Sequence, residues 1–315
     1  MEPLNWGGTL PVNDGSADLE FALSGLSTTL DQDWSIRSMV WNSGLQGGID
    51  PSFGLDHTLT IFGGVTNASS GGELLIRVPI ILGAFQEWHD ASTPLPPGMN
   101  NPGTDVHEIS GSGGIRKTGP GTLRLGLNSS TGGILIEQGA VQVANSMGLG
   151  AEAGTVTLDG GTLRFRPWFV GVEIISQEIV LGAAGGTIEG RSAELEFRSP
   201  ISGPGRLTLQ SAALADYTDN TFTISGANTY AGGTVLKYAQ VVAAGSGQAL
   251  GTGDVTLETG ALLSLAAPTN LAPGKKVSMQ RGSVLDFAEG QFDPITVIDS
   301  NPEKTTGGSM HVQRR

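Results

Sequence analysis

Glycine, often in pairs, punctuates short runs of alternating apolar and polar residues along this chain. Thr58-Leu59-Thr60-Ile61, Leu123-Arg124-Leu125, Val156-Thr157-Leu158, Leu207-Thr208-Leu209 and Val255-Thr256-Leu257 each put apolar side chains on one face and polar ones on the other. A period of two marks a half-buried strand, because successive strand side chains point to opposite faces. Pairs such as Gly63-Gly64, Gly113-Gly114, Gly132-Gly133, Gly160-Gly161, Gly185-Gly186 and Gly232-Gly233 bound these runs and permit sharp turns. The 49 glycines are about twice the ~7 % share of an ordinary domain, and they are spread out, not gathered in a linker. Helical periodicity is nearly absent. The chain is read as all-β.

An internal repeat selects among all-β architectures. Asn128-Ser129-Ser130-Thr131-Gly132-Gly133-Ile134-Leu135-Ile136 matches Asn228-Thr229-Tyr230-Ala231-Gly232-Gly233-Thr234-Val235-Leu236. Leu149-Gly150 before Gly154-Thr155-Val156-Thr157-Leu158 matches Leu250-Gly251 before Gly253-Asp254-Val255-Thr256-Leu257, and Ile109-Ser110-Gly111 matches Ile201-Ser202-Gly203. Long units that each hold several strand–turn segments stack, because one coil cannot bury its apolar face alone. A propeller would show regular blades of ~40–45 residues with a Trp-Asp signature, and a sandwich of this length would show a linker between two domains. Neither is present. A right-handed parallel β-helix is expected, with residues 1–55 as first coils or cap, 56–300 as the β-helix with repeats at about 109–165 and 201–265, and 301–315 as a flexible tail.

The residues Ile109 to Leu125 and Phe222-Thr223-Ile224-Ser225-Gly226-Ala227-Asn228-Thr229-Tyr230-Ala231-Gly232-Gly233-Thr234 resemble the autotransporter-associated, or passenger-associated, β-strand repeat. The first copy departs from that pattern at Ser130, where tyrosine is usual. The second keeps Gly203-Pro204-Gly205, lacks a counterpart of Gly113 to Thr118, and carries an insertion around Ser211 to Asn220. The resemblance covers roughly residues 55 to 265. It implies a parallel β-helix, a place at the bacterial surface or outside the cell, a passenger role, and an outer-membrane translocator beyond this segment. It implies no catalytic residues.

Charge narrows the partners. With 30 acidic and 17 basic residues the formal net charge is −13, which repels nucleic-acid phosphates and anionic membrane surfaces. No apolar run nears the ~20 residues of a membrane-spanning helix, so membrane insertion of this segment is not expected. No leader is visible at Met1-Glu2-Pro3-Leu4-Asn5-Trp6, and the segment reads as a fragment. The absence of cysteine removes disulfides and thiolate chemistry.

Right-handed β-helices also carry pectin- and glycan-cleaving enzymes, whose sites need carboxylates clustered on adjacent coils. Asp31 and Asp33 are close in sequence, as are Asp216 and Asp219, but no Asp-Asp pair and no Gly-His-Gly occurs. His57, His89, His107 and His311 are scattered without metal-ligand spacing. Asn128 and Asn228 hold equivalent places and are read as left-handed turn residues or as members of a stack. Trp6, Trp34, Trp41 and Trp88 suit packing as well as they suit a sugar platform. What remains is a ligand loop: Trp168 with Asp216, Tyr217 and Asp219. The expectation is a structural, presentational passenger segment with no enzymatic activity, cofactor or metal. An adhesin binding a surface glycan or protein through side loops comes next, and a polysaccharide lyase or hydrolase after that.

Overall fold

A computed structural model describes residues 10–22, 27–42, 44, 46–52, 56–93, 102–167, 171–191, 194–211, 220–245, 248–267, 271, 273–287, 296–299 and 311–314. The chain divides into two compact units, Met1–Thr155 and Val156–Arg315. Among the described residues the secondary structure is strand throughout, apart from a 3-10 turn at Ser146–Leu149 capped by the Asn145 side chain.

The first unit is built on three parallel ladders. One runs through Asp18–Phe21, residues 38–41, residues 64–67, Gln86–Asp90, Ile115–Thr118 and Ile134–Ile136. A second runs through Ser27–Leu30, Gly47–Pro51, Leu74–Ile76, residues 104–106, Thr122–Asn128 and Ala140–Val143. The third runs through residues 34–36, 59–61, Ile80–Leu82 and 109–111. Four long strands, Trp34–Trp41, Leu59–Asn67, Gly103–Gly111 and Thr122–Asn128, each serve two ladders.

The second unit follows the same plan. One ladder passes through Thr162–Phe165, Gly186–Gly190, Leu207–Ser211, Thr234–Lys237, Val255–Leu257, Lys276–Met279 and Thr296–Asp299. Another passes through Val172–Ile175, Glu194–Phe197, Thr221–Ile224, Gln240–Ala243, Leu262–Leu265, Val284–Phe287 and His311–Arg314. The last of these lies in the stretch expected to be a tail. Both units are parallel β-solenoids, the fold class expected from the sequence.

Burial follows the sequence alternation. Leu195, Phe222, Val241, Leu263 and Leu285 stack as one inward row, with Phe197, Ile224, Ala243, Leu265 and Phe287 as the next. The rings of Phe165 and Phe197 meet edge to face at 6.4 Å, a favoured arrangement for aromatic pairs. Trp34, Trp41 and Trp88 are core residues, at 6 %, 1 % and 2 % exposure. The structure therefore assigns them to packing and removes them as a sugar platform.

Main-chain bonds also realign the two repeats. Thr131 N donates to Gly111 O and Gly132 N to Gly113 O; Ala231 N donates to Gly203 O and Gly232 N to Gly205 O. Gly203 and Gly205 thus stand where Gly111 and Gly113 stand. Leu207 pairs with Thr234 as Ile115 pairs with Ile134. The counterpart of Ile115–Thr118, read from sequence as missing, is therefore residues 207–210. The extra residues enter one corner later, before Thr221–Ile224.

The glycine pair is explained by distance. A Cβ on Gly132 would lie 2.4 Å from Gly113 C and 2.5 Å from Gly114 N; one on Gly232 would lie 2.4 Å from Gly205 C and 2.5 Å from Arg206 N. Backbone packs on backbone there, and no side chain fits. Gly132→Ala is expected to lower unfolding free energy by about 1–3 kcal/mol, as overpacking does. Gly71→Ala, which meets nothing within 4 Å, should stay within ~0.5 kcal/mol of the parent. Urea unfolding of the two variants checks the contrast, and equal midpoints would refute it.

Candidate functional site

The residues proposed as a ligand loop, Trp168, Asp216, Tyr217 and Asp219, lie outside the described residues, as does Trp6. The other sequence candidates are placed. Asp33 is exposed and stitches one coil to the next: its Oδ1 accepts from Thr58 N at 2.8 Å and Thr58 Oγ1 at 3.2 Å, with His57 Nδ1 at 3.7 Å. The Thr58 amide bond, first among these contacts, holds its carboxyl below the usual range. His89 Nδ1 meets Thr118 Oγ1 at 3.0 Å. Among the described residues no group of three or more His, Asp or Glu side chains is set to hold a metal ion.

Asn128 and Asn228 share one cross-coil contact in the two repeats. Both are buried, and their Nδ2 atoms donate to Gly148 O and Ala249 O in the following coil, at 3.4 Å and 2.5 Å. Neither has a positive φ; among the described residues other than glycine, Tyr238 alone does. The left-handed reading does not hold: both amides reach a carbonyl of the following coil, while Asn128 Oδ1 also closes a local turn by accepting from Ser130 N at 3.0 Å and Ser130 Oγ at 2.7 Å, and Asn228 Oδ1 accepts from Ile201 N of the preceding coil at 2.6 Å.

The densest polar cluster in the first unit lies inside the coils, around Asp90 and Lys117. Asp90 is 2 % exposed. Its Oδ1 accepts from Ser92 N at 3.0 Å and Ser92 Oγ at 2.5 Å, and its Oδ2 from Thr104 Oγ1 at 2.8 Å. Lys117 is fully buried. Its Nζ donates to Thr118 O at 2.6 Å, Gly119 O at 2.8 Å and, in the next coil, Gln138 O at 3.4 Å. Val65, Trp88, His89 and Leu123 close the surroundings, leaving no space that a water molecule can enter. A second buried ammonium recurs in the other unit, where Lys275 Nζ donates to Leu250 O at 2.9 Å. That carbonyl also accepts from Thr234 Oγ1 at 3.2 Å, and Thr234 Oγ1 meets the buried Tyr230 hydroxyl at 2.7 Å.

Desolvation pushes both lysines down to about 8, against a weaker opposing pull from Asp90 on Lys117 and from Asp254 on Lys275. Burial likewise raises the Tyr230 hydroxyl well above its ordinary value, the Thr234 contact opposing it only in part. Chemically these groups tie coils together. Lys117 binds carbonyls of two coils while facing a carboxylate of a third, and a buried charge needs such company. Sequence reading missed this cluster, although a signal exists: in Ile115-Arg116-Lys117-Thr118, Lys117 shares the inward parity of Ile115.

On the outer face, ion pairs run between coils. Arg116 meets Glu87 at 3.2 Å and Glu137 at 2.8 Å, and Arg164 meets Glu189 at 2.6 Å. Exposed pairs of this kind contribute little individually. Among the described residues, Phe62, Phe85 and Tyr238 are large aromatic side chains that stand out to solvent.

Stacked parallel coils, paired glycines and cross-coil asparagines at repeat positions define a passenger-type solenoid. The profile of the passenger-associated-transport-repeat family matches residues 115–143 and 219–237, so the chain carries passenger repeats of the autotransporter kind. It is similar to the Adhesin BmaC autotransporter of Brucella suis biovar 1 (strain 1330), at 33 % identity over 129 residues, which is 41 % of this chain. The chain spans 4 % of that protein's length. No solved structure matches it. Among the described residues no helix is long and apolar enough to cross a membrane.

The buried groups fix a pH dependence. Between about pH 8 and the ordinary lysine range, the unfolded chain binds more protons at Lys117 and Lys275 than the folded one does, so stability rises with pH. Above about pH 10 the unfolded Tyr230 ionises first, and stability falls. Urea midpoints from pH 7 to 11 should therefore pass through a maximum near pH 10, and Lys117→Met should flatten the rising limb. A curve that falls steadily from pH 8 would contradict this account.

Proposed function

We propose that this chain is a non-catalytic passenger segment, displayed at a bacterial surface or released outside the cell, that extends and presents neighbouring parts of a larger protein. The observation that carries the reading is the passenger repeat itself, present twice and used both times to dock one coil on the next. The conspicuous interior chemistry is spent on that docking. Asp90 and Lys117 are held by neighbouring coils in a space closed to water, where no substrate reaches them. A translocator elsewhere in the parent protein belongs to this proposal, as do a location outside the cytoplasm and the absence of a nucleic-acid partner. The relative's printed description as an adhesin supports a second reading, in which side loops bind a surface glycan or protein. Trp168, Asp216, Tyr217 and Asp219 belong to that second reading.

Display is tested on the natural full-length protein in its own bacterium, with an epitope inserted at Gly71, an exposed position. Antibody should label intact cells, and externally added protease should remove the label. Labelling that appears only after the envelope is permeabilised would overturn the proposal.

A further inference from the structure

One corner of the second unit breaks its own rule. Between the ladder containing Thr234–Lys237 and that containing Gln240–Ala243, successive coils turn through residues in exact register. Gln240 pairs with Leu262, and Leu262 with Val284. Two residues before each stand Tyr238, Gly260 and Gly282. All three take the left-handed conformation, with φ of 49°, 75° and 74°. That conformation disfavours every residue with a Cβ, and bulky ones most, so glycine is its natural occupant. Two of these coils obey. The third puts a tyrosine there, and that residue is 58 % exposed.

Packing does not account for the choice. The ring lies over the next glycine: a Cβ on Gly260 would meet Tyr238 Cδ1 at 3.3 Å. A glycine needs no such cover, and the following one does without it, since a Cβ on Gly282 would meet nothing within 4 Å. The result is an exposed aromatic side chain with one ring edge beside Gly260, and bare glycine one coil further on. The chain neighbours of these corner positions are polar: the Lys237–Glu258 ion pair at 3.6 Å, and exposed Gln240, Thr259 and Arg281. Strained conformations kept in a fold cluster where a side chain must be presented in one direction.

We propose that Tyr238 is a recognition residue, and that the corner of Tyr238, Gly260 and Gly282 binds neutral polysaccharide. A pyranose ring has C–H bonds on its faces and hydroxyls at its rim. It matches an exposed aromatic side chain whose neighbours in register are an ion pair, an amide and a hydroxyl better than a wholly apolar ligand does. A formal net charge of −13 opposes anionic ligands. The position is distinct from Trp168 and from residues 216–219, and the inference stands whether or not the chain is displayed.

The test is saturation-transfer NMR on the purified chain with neutral hexaoses of glucose, xylose, mannose and N-acetylglucosamine, one linkage at a time. At least one should receive saturation at its ring C–H protons. Tyr238→Gly should weaken that ligand about tenfold or more, while Tyr238→Phe keeps it, as a stacking face requires. Thermal unfolding supplies the second readout. Tyr238→Gly should leave the midpoint level or raise it, because glycine suits the left-handed turn. A lower midpoint would make the tyrosine a structural cover and overturn the proposal. So would silence from every hexaose, or binding that Tyr238→Gly leaves unchanged.

Discussion

Each coil is held to the next by main-chain hydrogen bonds that run parallel, and in places the two backbones lie almost in contact. At Gly132 over Gly113, and at Gly232 over Gly205, the amide bonds are 3.2 Å and 3.1 Å long. Everything else in either unit depends on that approach. It brings inward side chains into rows one strand spacing apart, roughly 4.8 Å, so that a modest fraction of large apolar residues still makes a continuous core. It also lets a single amide, as on Asn128 or Asn228, reach the carbonyl of the following coil.

The same spacing governs where polar groups can be hidden. A core one coil thick at a time has no deep interior, and a buried charge must find partners above or below. Lys117 does so with Gln138 O on one side and Asp90 on the other, and Lys275 with Leu250 O. These contacts make neighbouring coils interdependent where hydrophobic rows alone would leave them nearly additive.

Much of this was legible beforehand. The alternation in Leu123-Arg124-Leu125 and Val255-Thr256-Leu257 gave the strands, and the matched Asn–Gly-Gly stretches gave the repeat and the solenoid. What escaped depended on register between distant segments, which a linear reading does not contain. Residues 207–210 go unseen as the counterpart of Ile115–Thr118, because composition alone does not say which carbonyl lies beneath. Trp34, Trp41 and Trp88 could be placed inside or outside only when their parity within a coil was known. Lys117 was hidden by the habit of putting lysine at the surface, although its phase with Ile115 pointed inward. Tyr238 drew no notice, since its anomaly exists only beside Gly260 and Gly282 in the coils that follow.

The additional residues between Ser211 and Asn220 join the chain after one rung has closed and before the next begins. Leu207 and Thr221 keep their partners Thr234 and Gln240 all the same. The number of residues spent at that corner is thus decoupled from the hydrogen bonding on either side. Such a scaffold can change the number and kind of residues between two rungs while the architecture on either side goes on unaltered.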